Sequence, residues 1–150
     1  MRYFSVLLLM ITSLSGWAQQ LYPISIDNEA KATMRDGVVL RADVYRPRSE
    51  GSFPVLVERT PYSRAEEVRE AAELAAHGYI VVCQDTRGRY QSQGVFYPFL
   101  NEAADGYDTV EWAAGLKGSN GKVGMFGGSY VGATQMLAAS ARPPHLAVVS

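Results

Sequence analysis

The sequence predicts an α/β domain on a mostly parallel sheet. Three observations carry this: short apolar runs that recur along the chain, amphipathic helical segments between them, and two extended stretches joined by Asp36-Gly37 ahead of the first run. Apolar runs without alternation suit strands covered on both faces, and strand-helix alternation is the pattern of right-handed crossovers. Composition agrees. The 150 residues are 47% hydrophobic and 19% charged, an ordinary globular balance. Fourteen Lys and Arg against fifteen Asp and Glu leave a net charge of -1 without a basic block, so no nucleic-acid partner is expected.

The first segment is not part of the domain. Met1 and Arg2 give a positive start, Tyr3 to Leu14 are mostly apolar, and Gly16-Trp17-Ala18 supplies small residues for cleavage. Residues 1–18 are expected to be a signal peptide, which makes the mature chain secreted or periplasmic. A spanning helix needs ~20 apolar residues. Thr12, Ser13, Ser15 and Gly16 interrupt this run, and no cysteine follows it to carry a lipid, so no stable membrane anchor is expected.

Lys31 to Arg35 and Val38 to Arg46 then pair as an antiparallel hairpin across Asp36-Gly37, a strong turn signal. Pro54-Val55-Leu56-Val57 is a strand of the sheet centre. Ser63 and Glu66 form a capping-box pattern at the start of a helix that runs to His77, with Val68, Ala71, Ala72 and Ala75 on its apolar face and Gly78 as its left-handed stop. Tyr79 to Gln84 is the next strand. It carries Cys83, the chain's one cysteine, read as a buried core residue with no bridge or metal partner.

A loop of turn-formers and aromatics covers Arg87 to Pro98. Ala103, Tyr107, Val110 and Ala114 mark a second helix, and Asp105, Asp108 and Glu111 on its other side are expected to be solvated charges. Lys122 to Phe126 is a third strand, Tyr130 to Ala141 a third helix, and Leu146 to Ser150 the start of a fourth buried strand.

Chemistry is concentrated in Gly127-Gly128-Ser129-Tyr130-Val131-Gly132, between a buried strand and a helix. A serine at such a turn is held in a strained backbone that exposes its hydroxyl, and the next N–H faces a developing oxyanion. The glycines at 127 and 128 are expected to permit close backbone approach. Glycine-rich turns of this kind also cradle phosphates. This one lacks the glycine spacing of a dinucleotide site and the Lys-Ser/Thr pair of a phosphate loop, which favours Ser129 as a nucleophile.

Four segments resemble the X-Pro dipeptidyl-peptidase-like hydrolases, the CocE/NonD family that includes bacterial cocaine esterases and α-amino-acid ester hydrolases. They are Met34-Arg35-Asp36-Gly37-Val38 with Tyr45-Arg46-Pro47, Arg59-Thr60-Pro61-Tyr62, Gln84-Asp85-Thr86-Arg87-Gly88 with Ser92-Gln93-Gly94, and Gly124 to Gly132. The resemblance implies an α/β-hydrolase fold, of which residues 19–150 would be the N-terminal part of the catalytic domain, with the cap, the rest of the sheet and a C-terminal β-sandwich absent. It implies a serine hydrolase cleaving an ester or amide through an acyl-enzyme, with Tyr62 as the side-chain oxyanion donor beside the backbone N–H of Tyr130. Asp85, Arg87 and Gly88 would shape the loop above the site through an internal ion pair. The substrate would be a small-molecule or peptide-like acyl compound: an acyl ester, an amino-acid ester or β-lactam side-chain amide, or an X-Pro dipeptide amide. No metal or organic cofactor is expected.

In this fold the triad runs Ser, then Asp or Glu, then His. Twenty-one residues follow Ser129, with His145 the one histidine among them, while His77 precedes it. Both histidines are expected to be surface or boundary residues. The chain is therefore read as a fragment lacking the triad Asp and His, and alternatively as a non-catalytic truncated remnant.

Overall fold

The computed structural model describes residues 21–150, so the expected signal segment 1–18 lies outside the described residues. Six strands form one mixed sheet: β1 (Ile24–Thr33), β2 (Val39–Pro47), β3 (Phe53–Thr60), β4 (Ile80–Asp85), β5 (Ser119–Met125) and β6 (Leu146–Val149), in the spatial order β1-β2-β4-β3-β5-β6. Three helices connect them: α1 (Val68–Ala76), α2 (Glu102–Ala114) and α3 (Tyr130–Ser140). β1 and β2 form an antiparallel hairpin across the predicted turn, but β1 begins at Ile24, well ahead of the expected Lys31, and ends at Thr33. Thr33 lies opposite Val39 and Ile24 opposite Pro47, with a register shift between Asp27 and Ala30, and β2 runs antiparallel to β4. Gly37, at φ +85, makes the turn. β3, β4, β5 and β6 are mutually parallel. A mostly parallel sheet with an antiparallel entry hairpin is the arrangement the sequence predicts.

The order of the parallel strands places the helices. The β3-α1-β4 crossover steps one way across the sheet, whereas β4-α2-β5 and β5-α3-β6 step the other way. Right-handed crossovers therefore put α1 on one face and α2 with α3 on the opposite face. The core divides accordingly. Val55, Val57, Ile80, Val82, Val123 and Met125 pack with Val110, Ala113 and Ala138 on the α2-α3 side. Tyr45, Val81 and Cys83 pack with Ala71 and Ala75 on the α1 side.

Several expectations need correction. α1 is preceded by a 3-10 turn over Arg64–Glu67, and the Ser63 hydroxyl accepts from Ala65 N–H at 3.3 Å without a return bond from the Glu66 side chain. The reason is Arg64: its N–H donates to Asp85 Oδ1 (2.9 Å), and its guanidinium pairs with Asp43 and Asp85, which winds the first turn tightly. Val68 is 45% exposed, so Ala71 and Ala75 alone carry the buried stripe. β6 is half-exposed along its length and pairs only with β5 among the described residues. Gly78 does end α1 at φ +96, its N–H donating to Ala75 C=O at 3.1 Å.

The largest correction concerns α2. Its buried face is Glu102, Asp105, Gly106, Thr109, Val110 and Ala113. Gly106 is required there, because a Cβ would lie 2.5 Å from Ala138 Cβ on α3. Asp105 is 1% exposed and accepts from Arg87 at 2.6 and 2.9 Å. Asp108 pairs with Arg35 at 2.7 Å, and Glu111 with His145 at 2.7 Å. None of the three is a free solvated charge. No helix among the described residues is long and apolar enough to cross a membrane.

Candidate active site

In an open α/β sheet, the loops leaving two neighbouring parallel strands toward opposite faces open a crevice at the strands' carboxyl ends. Here those strands are β3 and β5. Two residues past β3 stands Tyr62, and four past β5 stands Ser129. The crossover pattern alone thus brings Tyr62 and Ser129 to one end of the sheet.

The turn at Ser129 is built by its neighbours. Phe126 N–H makes the last strand bond, to Val57 C=O at 3.3 Å. Gly127 then takes φ +112, where a Cβ would lie 2.6 Å from Val131 Cγ1, so a side chain is excluded between strand end and helix start. Ser129 follows at φ 58, ψ -126, a backbone state that costs a residue bearing a Cβ about 1–3 kcal/mol. It is the N-cap of α3, yet its side chain makes no capping bond, and the residue is exposed. A serine that is strained, exposed and spared from capping keeps its hydroxyl free. Gly128 behaves differently from the expectation, since a Cβ there would meet nothing within 4 Å.

Tyr130 anchors the turn from the helix side. As the first residue of α3 it has no earlier helical carbonyl to receive its N–H. Its ring stacks on Phe99 with centroids 4.7 Å apart, and its hydroxyl donates to Glu102 Oε1 (3.0 Å) while accepting from Phe99 N–H (3.1 Å). Glu102 in turn forms a buried ion pair with Arg59 at 2.7 Å. Burial, reinforced by the Glu102 carboxylate, raises the Tyr130 phenol above its ordinary value, with the Phe99 N–H opposing. Gln135 holds the other side. Its Nε2 donates to Gly127 C=O (2.7 Å) and Ser150 C=O (2.9 Å), and its Oε1 accepts from Ser150 N–H (2.9 Å), fastening the turn to the end of β6.

Glu102 and Gln135 escaped the sequence reading, and Arg59 entered it only as part of a resemblance segment without a role, because charged and amide side chains read as surface. Their signal was positional: Gln135 lies at helical spacing with Val131, Thr134 and Ala138, all buried. Glu58 is a further such residue, 6% exposed, with Oε1 3.5 Å from where a Cβ at Gly127 would be. Burial, with help from the charges of Glu67 and Glu70, pushes its carboxyl up to about 7.

Tyr62 is 48% exposed. Among the described residues its phenol hydroxyl has no hydrogen-bond partner, whereas its N–H donates to Thr60 Oγ1 at 3.0 Å. The Asp85, Arg87 and Gly88 segment does shape the loop between β4 and α2, but its ion pairs run elsewhere: Asp85 to Arg64, Arg87 to Asp105 and Asp36. Gly88, at φ +68, sits where a Cβ would come within 2.1 Å of Phe96 N. Neither histidine joins the site. His77 Nδ1 bonds Glu73 C=O at 2.8 Å, and His145 Nδ1 bonds Glu111 Oε2. Cys83 is fully buried, and burial raises its thiol well above the usual range. The described residues hold no group of three His, Cys, Asp or Glu arranged for a metal. A hollow of about 650 Å³ lies on α1 and the 3-10 turn before it and is lined by none of Tyr62, Ser129 and Tyr130, while one of about 380 Å³ lies against Gly127, Gly132, Gln135 and Ser150.

The sequence model of the X-Pro dipeptidyl-peptidase (S15) family matches residues 36–150. Cocaine esterase from Rhodococcus sp. (strain MB1 Bresler) is 41% identical over 121 residues, which is 77% of this chain and 21% of the esterase. A CocE/NonD family hydrolase from Staphylococcus aureus superposes with TM-score 0.76 at 28% identity, covering 84% of this chain and 27% of that one. An alpha-amino acid ester hydrolase gives TM-score 0.74 at 29% identity, over 97% of this chain and 28% of the hydrolase. An aminopeptidase from a marine sediment Thaumarchaeota archaeon gives 0.73 at 27%, over 88% of this chain and 25% of the peptidase. The chain spans about a fifth of the curated relative and about a quarter of these solved chains.

Proposed function

Because the chain belongs to the X-Pro dipeptidyl-peptidase (S15) family, a family of esterase and peptidase hydrolases, we propose that it supplies the nucleophile and oxyanion hole of a serine hydrolase acting on an ester or amide. The observation that carries this is Ser129: a strained, exposed helix cap with an uncommitted hydroxyl, at the crevice where the crossovers diverge. Ser129 Oγ attacks the acyl carbonyl as a base removes its proton. The carbonyl oxygen gains negative charge, and the Tyr130 N–H with the Tyr62 hydroxyl donate to it. Collapse expels the alcohol or amine and leaves an acyl-serine, which water then cleaves by the same route. Neither His77 nor His145 serves as that base, since each is engaged elsewhere.

A fluorophosphonate probe applied to the intact protein is expected to label Ser129, and a Ser129→Ala variant to remain unlabelled. Absence of label on folded protein would refute the nucleophile assignment. The relatives include a cocaine esterase, an alpha-amino acid ester hydrolase and an aminopeptidase. Rates on a matched acyl ester, amino-acid ester and X-Pro amide separate those substrate classes for this protein. For residues 1–150 alone we propose no turnover, because loss of the triad histidine costs on the order of a millionfold; Ser129-dependent esterase activity in that fragment would overturn this. Export is part of the same proposal, and rests on residues 1–18. Recovery of mature protein beginning near Gln19 from the periplasm or medium tests it.

A further inference from the structure

The segment Pro61-Tyr62 between β3 and the 3-10 turn is a loop, and loops place side chains poorly unless their backbone is fixed. All three backbone polar groups it offers are held by side chains. Tyr62 N–H is taken by Thr60 Oγ1 (3.0 Å), Pro61 C=O accepts from Arg89 Nε (2.9 Å), and Tyr62 C=O accepts from the Tyr90 hydroxyl (2.8 Å). The last two donors are consecutive residues, 89 and 90, gripping consecutive carbonyls from another loop.

That loop is itself held in an unfavourable shape. Tyr90 has φ +47, in the left-handed region that disfavours a large side chain. The shape is enforced by the Gly88 close approach to Phe96, by Ser92 Oγ donating to Asp85 C=O (2.7 Å), and by Gly88 N–H donating to Gln93 C=O (2.9 Å). The Arg89 guanidinium lies over both the Tyr90 ring (5.3 Å) and the Phe96 ring (5.2 Å), which fixes its direction. Strain of this kind persists where the surroundings over-determine it. Its product here is a two-pronged grip on the residue that carries a free phenol.

We propose, resting on the reading of Tyr62 as an oxyanion donor, that Arg89 and Tyr90 are positioning residues that hold the Tyr62 backbone so that its hydroxyl meets the developing oxyanion. The benefit appears only when charge develops, so the grip acts on turnover and leaves ground-state binding alone. The Tyr62 carbonyl belongs to an exposed residue, so losing the Tyr90 hydroxyl leaves it to water with little effect on folding.

The test is steady-state hydrolysis of a p-nitrophenyl ester by the intact protein. Tyr90→Phe is expected to lower kcat about three- to tenfold, the equivalent of one neutral hydrogen bond, with KM within about twofold. In a Tyr62→Phe background the same change is expected to cost nothing, because the hydroxyl it positions is already gone. Arg89→Met should show the same dependence on Tyr62, and Arg89→Lys, which keeps a donor, should recover part of the loss. An equal loss in both backgrounds, or no loss from Tyr90→Phe and Arg89→Met, overturns the grip while leaving Tyr62 in place. Full activity in Tyr62→Phe overturns the oxyanion reading, and the grip with it.

Discussion

The strain at Ser129 makes a quantitative prediction that separates chemistry from architecture. At φ 58, ψ -126 the residue occupies backbone territory natural to glycine, at a cost of about 1–3 kcal/mol. Ser129→Gly removes the Cβ and with it that cost, while glycine's greater freedom in the unfolded chain takes back about 0.5–1 kcal/mol. A net gain of about 1 kcal/mol remains, or a rise of about 2–4 °C in the midpoint of a unit of 150–250 residues. Ser129→Ala is the control. It deletes the same hydroxyl but keeps the Cβ, and because that hydroxyl caps no helix bond, stability should stay near the parent's. Both variants should lose the proposed activity. Calorimetry on the intact protein reads the difference, and a Ser129→Gly midpoint at or below that of Ser129→Ala would refute the claim that this turn stores strain.

Two further predictions follow from neighbouring residues. Gly127→Ala should destabilise by roughly 1–3 kcal/mol, because its Cβ would collide with Val131 at φ +112, whereas Gly128→Ala, whose Cβ meets nothing within 4 Å, should leave the urea midpoint nearly unchanged. Equal effects at the two positions would contradict the geometry of the turn. Glu58 predicts a pH dependence: its carboxyl titrates near 4.5 unfolded and near 7 folded, so the native state holds the extra proton in that window and stability falls as pH rises through it. The ceiling is about 3 kcal/mol, at roughly 1.4 kcal/mol per pH unit. Glu58→Gln should therefore be more stable than the parent at pH 8 and close to it at pH 4.5, and a stability difference that does not vary with pH would rule this out.

The elements were legible in the sequence wherever one local signal dominated. Asp36-Gly37 fixed the hairpin, Gly78 stopped α1, and the apolar runs of β3, β4 and β5 declared their double-sided burial. The strand order β4-β3-β5 was not legible, because it depends on which way each crossover steps, and that is settled by long-range packing. The same holds for the helix faces. On α2 the sequence points to Ala103, Tyr107, Val110 and Ala114, yet the helix is rotated so that Glu102, Asp105 and Gly106 are buried. A charged residue is read as solvated unless its partner is known, and the partners here lie far along the chain: Arg87 for Asp105, Arg59 for Glu102, Arg35 for Asp108.

That rotation has a physical logic tied to the crevice. A purely apolar α2 face would bury more hydrocarbon, but it would leave Arg59 at the end of β3 without a counter-ion in the sheet interior, a loss that costs several kcal/mol. With Glu102 facing inward, Arg59 is neutralised at 2.7 Å, and the second Glu102 oxygen remains to receive the Tyr130 hydroxyl. One carboxylate thus links the end of β3 to the residue that follows Ser129. The polar interior around this turn is better understood as a scaffold that fixes directions than as a source of stability, since a hydrophobic replacement of such a triad is often neutral or stabilising. Hydrophobic contacts fill space without fixing angles, and an oxyanion donor is useful only if its angle is fixed before charge develops.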